Sequence, residues 1–266
     1  MTKQGETMKL VFIGAGRLAT NLGRALMEAG HDIVQVYSRT MASAQAAATI
    51  MGAAPTDDIE SIRRDADVYL CAVKDSALID LIPSLCKGRE QKVFLHTAGS
   101  VDMTVFKGMA LHYGVLYPMQ TFSKERKVDF GEIPCFIEAN DEFALKHIQQ
   151  LAESVSQRVS YLSSADRKYL HLAAVFVSNF TNHCYALAAD ILKSHGMDFD
   201  VMLPLVDETA RKVHTIQPAD AQTGPAVRYD ENVIRAQSQL LSGNPLVKEL
   251  YDRMSMSIHK KALHEE

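Results

Sequence analysis

The sequence is short of cysteine: four in 266 residues, at 71, 86, 135 and 184, far apart and with no C-x-x-C pair. That spacing excludes a disulfide framework and a zinc knuckle, and marks the thiols as reduced packing groups. Neither sign of charge is in large surplus. Lys and Arg total 28 against 32 Asp and Glu, a net charge of −4, so no global field draws the chain to nucleic-acid phosphates or to an anionic membrane. Long apolar runs are missing too, because the stretch 170–177 is broken by His171 and falls far short of the ~20 residues of a spanning helix. The first seven residues are polar and lack the apolar core of a secretory signal, which predicts a cytoplasmic protein whose ordered part begins near Met8. The ten histidines form no H-E-x-x-H or other ligand spacing, so no metal is expected.

What is present is the make-up of a folded protein. The chain is 47% hydrophobic and 23% charged, has no low-complexity tract, and is long enough for one large domain or two small ones. Residues 9–13, KLVFI, form an apolar run too short for a helix that stops at a glycine, a buried-strand pattern. Over 17–29, Leu18, Leu22, Leu26 and Ala29 recur at spacings of four, four and three, the stripe of a helix lying on a sheet, and Gly30 ends it. The alternation continues with strands over 32–37, 67–73, 92–96, 114–117 and 135–138 and helices over 41–51, 76–85 and 141–156. These units predict an α/β fold, a doubly wound Rossmann-type parallel sheet, for residues 1–162. From 163 helical periodicity replaces strand signal, which predicts a second, all-α domain over 163–266. Ser163 or Ser164 caps a first helix that runs to His195 and stops at Gly196, about 30 residues or roughly 45 Å at ~1.5 Å per residue. Its stripe of Leu170, Ala173, Val177, Phe180, Cys184, Leu187 and Ile191 needs a partner surface, either a second copy of the chain or the later helices.

Directly after the first strand stands Gly14-Ala15-Gly16-Arg17-Leu18-Ala19, a G-x-G-x-x-A turn between strand and helix. Gly14 supplies the tight turn and Gly16 lets a pyrophosphate come against bare backbone. Ala19 lets the helix pack close on the strand, and the helix start offers free N–H donors. The segment predicts dinucleotide binding. The end of the second strand decides which dinucleotide: an acid there takes the ribose 2′-hydroxyl of NAD, an arginine the 2′-phosphate of NADP. The chain has Ser38-Arg39-Thr40, and the nearest acid, Asp32, stands at the other end of the strand, about 17 Å away at ~3.3 Å per residue. Arg39, flanked by the Ser38 and Thr40 hydroxyls, predicts NADP(H).

The segments GAGRLATNLGRAL at 14–26, YSRT at 37–40, CAVKD at 71–75 and HTAGS at 96–100 together resemble the 6-phosphogluconate dehydrogenase-like superfamily, which includes pyrroline-5-carboxylate reductase and the β-hydroxyacid dehydrogenases. YPMQTF at 117–122, KYLHLAAVFVSNF at 168–180 and QTGPAVRYD at 222–230 resemble a branch in which a Rossmann-like domain precedes a helical domain of unknown function. The resemblance implies nicotinamide chemistry and a dimer assembled through the helical domain. It further implies that Val73 and Lys74 line the nicotinamide side of the cofactor and that Ala98 and Gly99 border it. All four fall beyond the carboxyl ends of strands, where open α/β sheets bind ligands.

A reductase of this kind needs a proton donor and a group to hold developing charge. On the long helix His171 and Ser178, seven residues apart, share one face at 100° per residue, while Lys168 and Asn179 are about 16 Å apart along the axis, too far to meet one substrate atom. The β-hydroxyacid dehydrogenases place a catalytic Lys four residues before an Asn, where this chain has Val175 before Asn179. Histidine side chains ordinarily titrate at ~6.5, close to working pH, which makes His171 the best proton donor, with Asn179 the second catalytic candidate. Gln120, Ser178 and Thr223 are placed to orient a substrate, and Arg228 with Asp230 forms either a carboxylate site or a surface ion pair. The sequence therefore predicts an NADP(H)-dependent oxidoreductase that reduces a small carbonyl or imine by hydride transfer, as a homodimer, with neither nucleic acid nor membrane as partner. The alternative is a non-catalytic NADP(H) sensor, which the missing Lys-x-x-x-Asn spacing motivates.

Overall fold

Four of the five residues of the first strand, β1 (Lys9–Ile13), are buried, because both faces of the sheet are covered and the strand has no solvent side to alternate with. Such burial organises the whole N-terminal part of this computed structural model, which describes residues 6–123 and 128–263. The polar residues 1–5 at the start of the chain lie outside the described residues. In order follow α1 (Arg17–Glu28), β2 (Asp32–Tyr37), α2 (Met41–Met51), β3 (Ala54–Thr56), β4 (Val68–Cys71), α3 (Asp75–Cys86), β5 (Val93–His96), β6 (His112–Pro118), β7 (Cys135–Ala139), α4 (Glu142–Val155) and β8 (Val159–Tyr161). The eight strands lie in the order β3-β2-β1-β4-β5-β6-β7-β8. The first six have the order of doubly wound dinucleotide-binding sheets, so the direction of winding reverses between β1 and β4.

Alternate residues of β1 divide between two apolar cores. Leu10 and Phe12 pack with Leu22, Leu26, Ala47 and Ile148 of the helices on one face, and Val11 and Ile13 with Leu78, Ile82 and Phe106 on the other. Each expected strand and helix of this part is present within a few residues of its expected bounds, and two three-residue strands, β3 and β8, join them. One expectation needs correction. Strands β1 to β6 are mutually parallel, but β7 pairs antiparallel with β6, and β8, parallel to β7, shares its reversed direction. Residues 119–134 contain, among those described, a three-residue 3-10 turn at Phe130–Glu132 and no α-helix, so no crossover carries the chain back to the starting edge.

Ser163 caps the first helix after the sheet, its hydroxyl accepting from Asp166 N–H at 3.1 Å. The helix differs from the regular one expected over 163–195. It comprises α5 (Ser164–Ala174), a π-helical turn (Val175–Phe180) and α6 (Thr181–Ser194). The chain parts into two compact units within it, Met1–Asn179 and Phe180–Glu266. The first unit thus extends past the boundary expected at 162, because α5 is bound to the sheet by Arg167. The guanidinium is 1% exposed and donates to the Glu138 carboxylate of β7 at 2.9 Å, while Ser164 donates to the same carboxylate through its N–H at 2.8 Å and its hydroxyl at 2.5 Å.

The second unit is helical throughout its described residues: α6, α7 (Leu203–Lys212), the short α8 (Pro225–Arg228), α9 (Glu231–Leu240) and α10 (Pro245–Leu263). Asp230 caps α9, its carboxylate accepting from Val233 N–H at 3.3 Å. The ion pair suspected between Arg228 and Asp230 is not formed, since Asp230 is turned to this cap and Arg228 is exposed. Among the described residues no helix is long and apolar enough to cross a membrane.

Candidate active site

The glycine turn stands at the carboxyl end of β1, beside the reversal point of the sheet. Gly14 has φ of +119°, and a Cβ there would overlap the carbonyl of Ala72 on the neighbouring chain segment, so both dihedral and space demand glycine. Its N–H donates to the Tyr37 carbonyl at 2.8 Å, drawing the end of β2 to the turn. Gly16 is different: a Cβ there would meet nothing within 4 Å. Packing within the chain therefore gives no reason for glycine at 16, whereas a phosphate lying against the backbone would. Gly16 is the N-cap of α1 and offers no side-chain acceptor, and the first turn, Arg17, Leu18 and Ala19, carries no acidic residue. The leading N–H groups and the positive end of the helix dipole face the open space in front of the turn. Ala15 is half-buried against the core, and Ala19 is fully buried where the helix approaches the strand.

The Ser38-Arg39-Thr40 segment ends β2 on the same edge. Arg39 is exposed and makes no hydrogen bond or ion pair within the described chain. Thr40 is already engaged locally, because its hydroxyl caps α2 by accepting from Ser43 N–H at 3.3 Å. Ser38 is held by its backbone, N–H to the Thr56 carbonyl at 3.1 Å. Asp32 lies at the other end of β2, in register with Lys9, as its position in the sequence requires.

On the far side of the reversal point, β4 and β5 end in the two loops that carry Val73, Lys74, Ala98 and Gly99. Lys74 is exposed at the N-cap of α3, and Val73 is half-buried. The loops are tied together where the Ser100 hydroxyl donates to the Asp75 carboxylate. His96, the last residue of β5, is completely buried and stacks on Phe106. Its Nδ1 accepts the Ala98 N–H at 3.2 Å, which shapes the turn carrying Ala98 and Gly99. Burial, with the nearby Arg167 charge acting the same way, lowers the His96 pKa to about 4, so the ring is neutral and able to accept.

His171 of α5 rests on this turn. A Cβ on Gly99 would overlap the imidazole, so glycine at 99 is what admits the ring. The hydroxyl of Tyr117, near the end of β6, lies 2.9 Å from His171 Nδ1. Burial raises the Tyr117 pKa, and the neighbouring Arg167 charge offsets part of that rise. The buried cysteines are no nucleophiles here: burial raises Cys71 far above its ordinary range, pushes Cys86 to about 12 and Cys135 to about 11.

Two family models match the chain, a Rossmann-like domain over residues 2–118 and a domain of unknown function, DUF2520, over residues 133–258. A crystal structure from Bacteroides fragilis, described as a "putative NADP oxidoreductase", is 51% identical, covers 96% of this chain and 98% of its own, and superposes with a TM-score of 0.92. The chain belongs to the family of that protein and joins a Rossmann-like domain to a DUF2520 domain. A more distant member of the same fold is an imine reductase from Myxococcus stipitatus in complex with NADP+, at 17% identity, covering 97% of this chain and 94% of its own with a TM-score of 0.67. A pyrroline-5-carboxylate reductase from Coxiella burnetii is 18% identical, covering 97% of this chain and 98% of its own with a TM-score of 0.59. No curated protein matches the chain.

In this DUF2520 protein the structure brings together His171, Gly99 and Tyr117. Ser178 and Asn179 lie in the π-helical turn, half-buried and exposed respectively. Rings closed at i→i+5 advance the chain by less than 100° per residue, so Ser178 slips out of the phase that a regular helix would share with His171. No bond joins His171 to Asn179 among the described residues. Gln120, in the loop after β6, is exposed and its side-chain carbonyl accepts from Thr121 N–H at 2.9 Å. Thr223 belongs to the second unit, in the turn before α8. Sequence reasoning missed Tyr117, Arg167 and Glu138 as site residues. The available signals were the position of Tyr117 at the carboxyl end of a strand and of Arg167 one helical turn before His171.

Proposed function

We propose that this protein is an NADP(H)-dependent oxidoreductase that reduces a small carbonyl or imine. The observation that supports this reading best is the pairing of two features at one sheet edge. One is an uncapped α1 start behind an open glycine at 16, which suits a pyrophosphate, and the other is a free guanidinium at 39, which suits a 2′-phosphate. Gly14 to Ala19 would hold the pyrophosphate, and Ser38, Arg39 and Thr40 the adenosine phosphate. Val73, Lys74, Ala98 and Gly99 would border the nicotinamide. The reduced nicotinamide supplies the hydride. His171 supplies the proton, because one ring nitrogen is bonded to Tyr117 while Nε2 bonds no described residue and is not sealed from solvent. Gln120, Ser178 and Thr223 are the proposed orienting groups for the substrate, with Asn179 a second catalytic candidate.

Titration of the purified protein with NADPH and NADH, followed by nicotinamide fluorescence, tests the cofactor assignment. The expected result is saturable binding with NADPH at least tenfold tighter, and absence of binding to either nucleotide overturns the proposal. Consumption of NADPH with a panel of carbonyls and imines then separates an enzyme from a sensor: tight binding without turnover of any substrate favours the sensor. The reading includes a homodimer. Of residues 180–263 only Leu192, Ala226, Ser238 and Ser255 are buried, so the chain alone leaves most of the second unit's apolar side chains in water.

A further inference from the structure

Tyr117 has no assigned part in proton supply, yet its hydroxyl is bonded to the proposed acid. The phenol is 7% exposed, and among the described residues its only other neighbour within bonding reach is the Met119 thioether, at 4.0 Å and a weak acceptor. His171 Nδ1 is thus by far its better partner, at 2.9 Å. The two rings meet edge to face, with centroids 6.1 Å apart. The imidazole is fixed from a second side by the bare backbone of Gly99. In a neutral histidine one nitrogen carries the proton and the other accepts, and the bond made by one decides the state of the other.

We propose that Tyr117 is a positioning residue that selects the tautomer of His171: the phenol donates to Nδ1, so the ring proton stays on Nε2, the nitrogen left open for substrate. The inference rests on the reductase reading given above. As a carbonyl carbon gains hydride, its oxygen takes the Nε2 proton, and an N–H bond breaks as an O–H bond forms. Nδ1 takes the phenolic proton at the same time, so the imidazole stays neutral and the negative charge of the developing alkoxide ends on the Tyr117 oxygen. An alkoxide is far more basic than a phenolate, so the transfer runs downhill, and Arg167, buried and close enough to act on the phenol, stabilises the phenolate. One proton from water, taken up through Nε2, restores the starting state. If Nδ1 carried the proton instead, the nitrogen facing substrate would be an acceptor and no acid would be present.

Nitrogen NMR of the full chain at neutral pH reads the tautomer directly, with His171→Asn to assign the ring. We expect a protonated Nε2 and a bare Nδ1 in the wild type, and a mixture of tautomers in Tyr117→Phe. A wild-type ring protonated at Nδ1, or a Tyr117→Phe ring with an unchanged tautomer, overturns the proposal. Should Tyr117→Phe not fold, protein made with 3-fluorotyrosine keeps the ring and makes the phenol more acidic. The His171 Nδ1 resonance must then move, and one that stays put overturns the proposal. NADPH titration of the same samples keeps the two claims apart: loss of binding in the wild type sinks the cofactor assignment, whereas the tautomer is read without cofactor or substrate.

Discussion

Among the described residues Arg39 is a cation with no partner, whereas the buried arginines Arg89 and Arg167 are both bound, which is the state expected of a residue reserved for an external anion. A charge-assisted bond to a phosphate contributes about 1.5–3 kcal/mol, or roughly 10- to 100-fold in affinity. Arg39→Glu is therefore expected to weaken NADPH binding by at least that range while leaving NADH nearly unchanged, measured by the same titrations. Equal losses for both nucleotides would contradict the assignment. His96 works differently, through its neutrality. Unfolded, its ring takes up a proton near the ordinary value of 6.5, and folded only near about 4. Between these limits the unfolded state holds the extra proton, so the contribution to stability is complete above about pH 6.5 and is lost as pH falls toward 4, by up to ~1.4 kcal/mol per pH unit. His96→Asn, whose side-chain oxygen can also accept the N–H two residues on, should flatten this part of the stability profile in urea unfolding from pH 7 to pH 4. An unchanged slope would show that other groups, such as buried His31, carry it.

Between elements, buried polar groups do the joining that apolar packing leaves open. Arg89 is 4% exposed, has no carboxylate partner among the described residues, and instead donates to the carbonyls of Leu85 at 3.1 Å and Lys87 at 3.2 Å, at the end of α3, and to those of Ile62 and Arg63. It closes a helix end whose carbonyls would otherwise lack donors, with a cation on the favourable side of the dipole. The Glu138–Arg167 pair joins β7 to α5 and so carries His171 to its place on Gly99. Removing one member of a buried pair leaves an uncompensated charge, at a cost of about 3–5 kcal/mol. Glu138→Leu should lose that much stability in denaturant unfolding. A loss below about 1 kcal/mol would show that the pair does not hold α5 to the sheet. The π-helical turn that follows α5 is a second device of this scale, since it alters which residues of the long helix share a face.

Across the whole molecule the two units differ in how they bury apolar surface. The sheet of the first unit is covered on both faces, and its central strands β1, β4 and β5 are nearly free of solvent. The second exposes Val201, Leu205, Leu240 and Leu246, and the α5 end of the first unit exposes Tyr169, Leu172 and Val177. Sedimentation equilibrium at micromolar concentration is expected to return twice the 29.4 kDa chain mass. Substituting Leu205 and Leu246 by Asp is expected to shift it toward the monomer. A wild-type chain that sediments at one chain mass would remove the dimer from the reading.

Strands, sheet helices and the glycine turn were legible because they rest on local facts: apolar periodicity, glycine at fixed offsets, and Arg39 in place of an acid at the end of β2. The exposed arginine was readable for the same reason, since its significance needs only its distance along the chain from the turn. The rest depended on residues far apart in sequence. Tyr117 and His171 are 54 positions apart and Glu138 and Arg167 are 29 apart, and no pattern within either segment announces the other. The reversal of β7 followed from a connection with no helix to carry the chain across, and the π turn from a change in hydrogen bonding that the apolar stripe does not record. Sequence by itself determined the sheet and the glycine turn at its carboxyl edge, because those are matters of local backbone and periodicity. Only the tertiary structure decided which side chains meet His171, because hydrogen bonding and exclusion of Cβ atoms act between atoms that folding alone brings within reach.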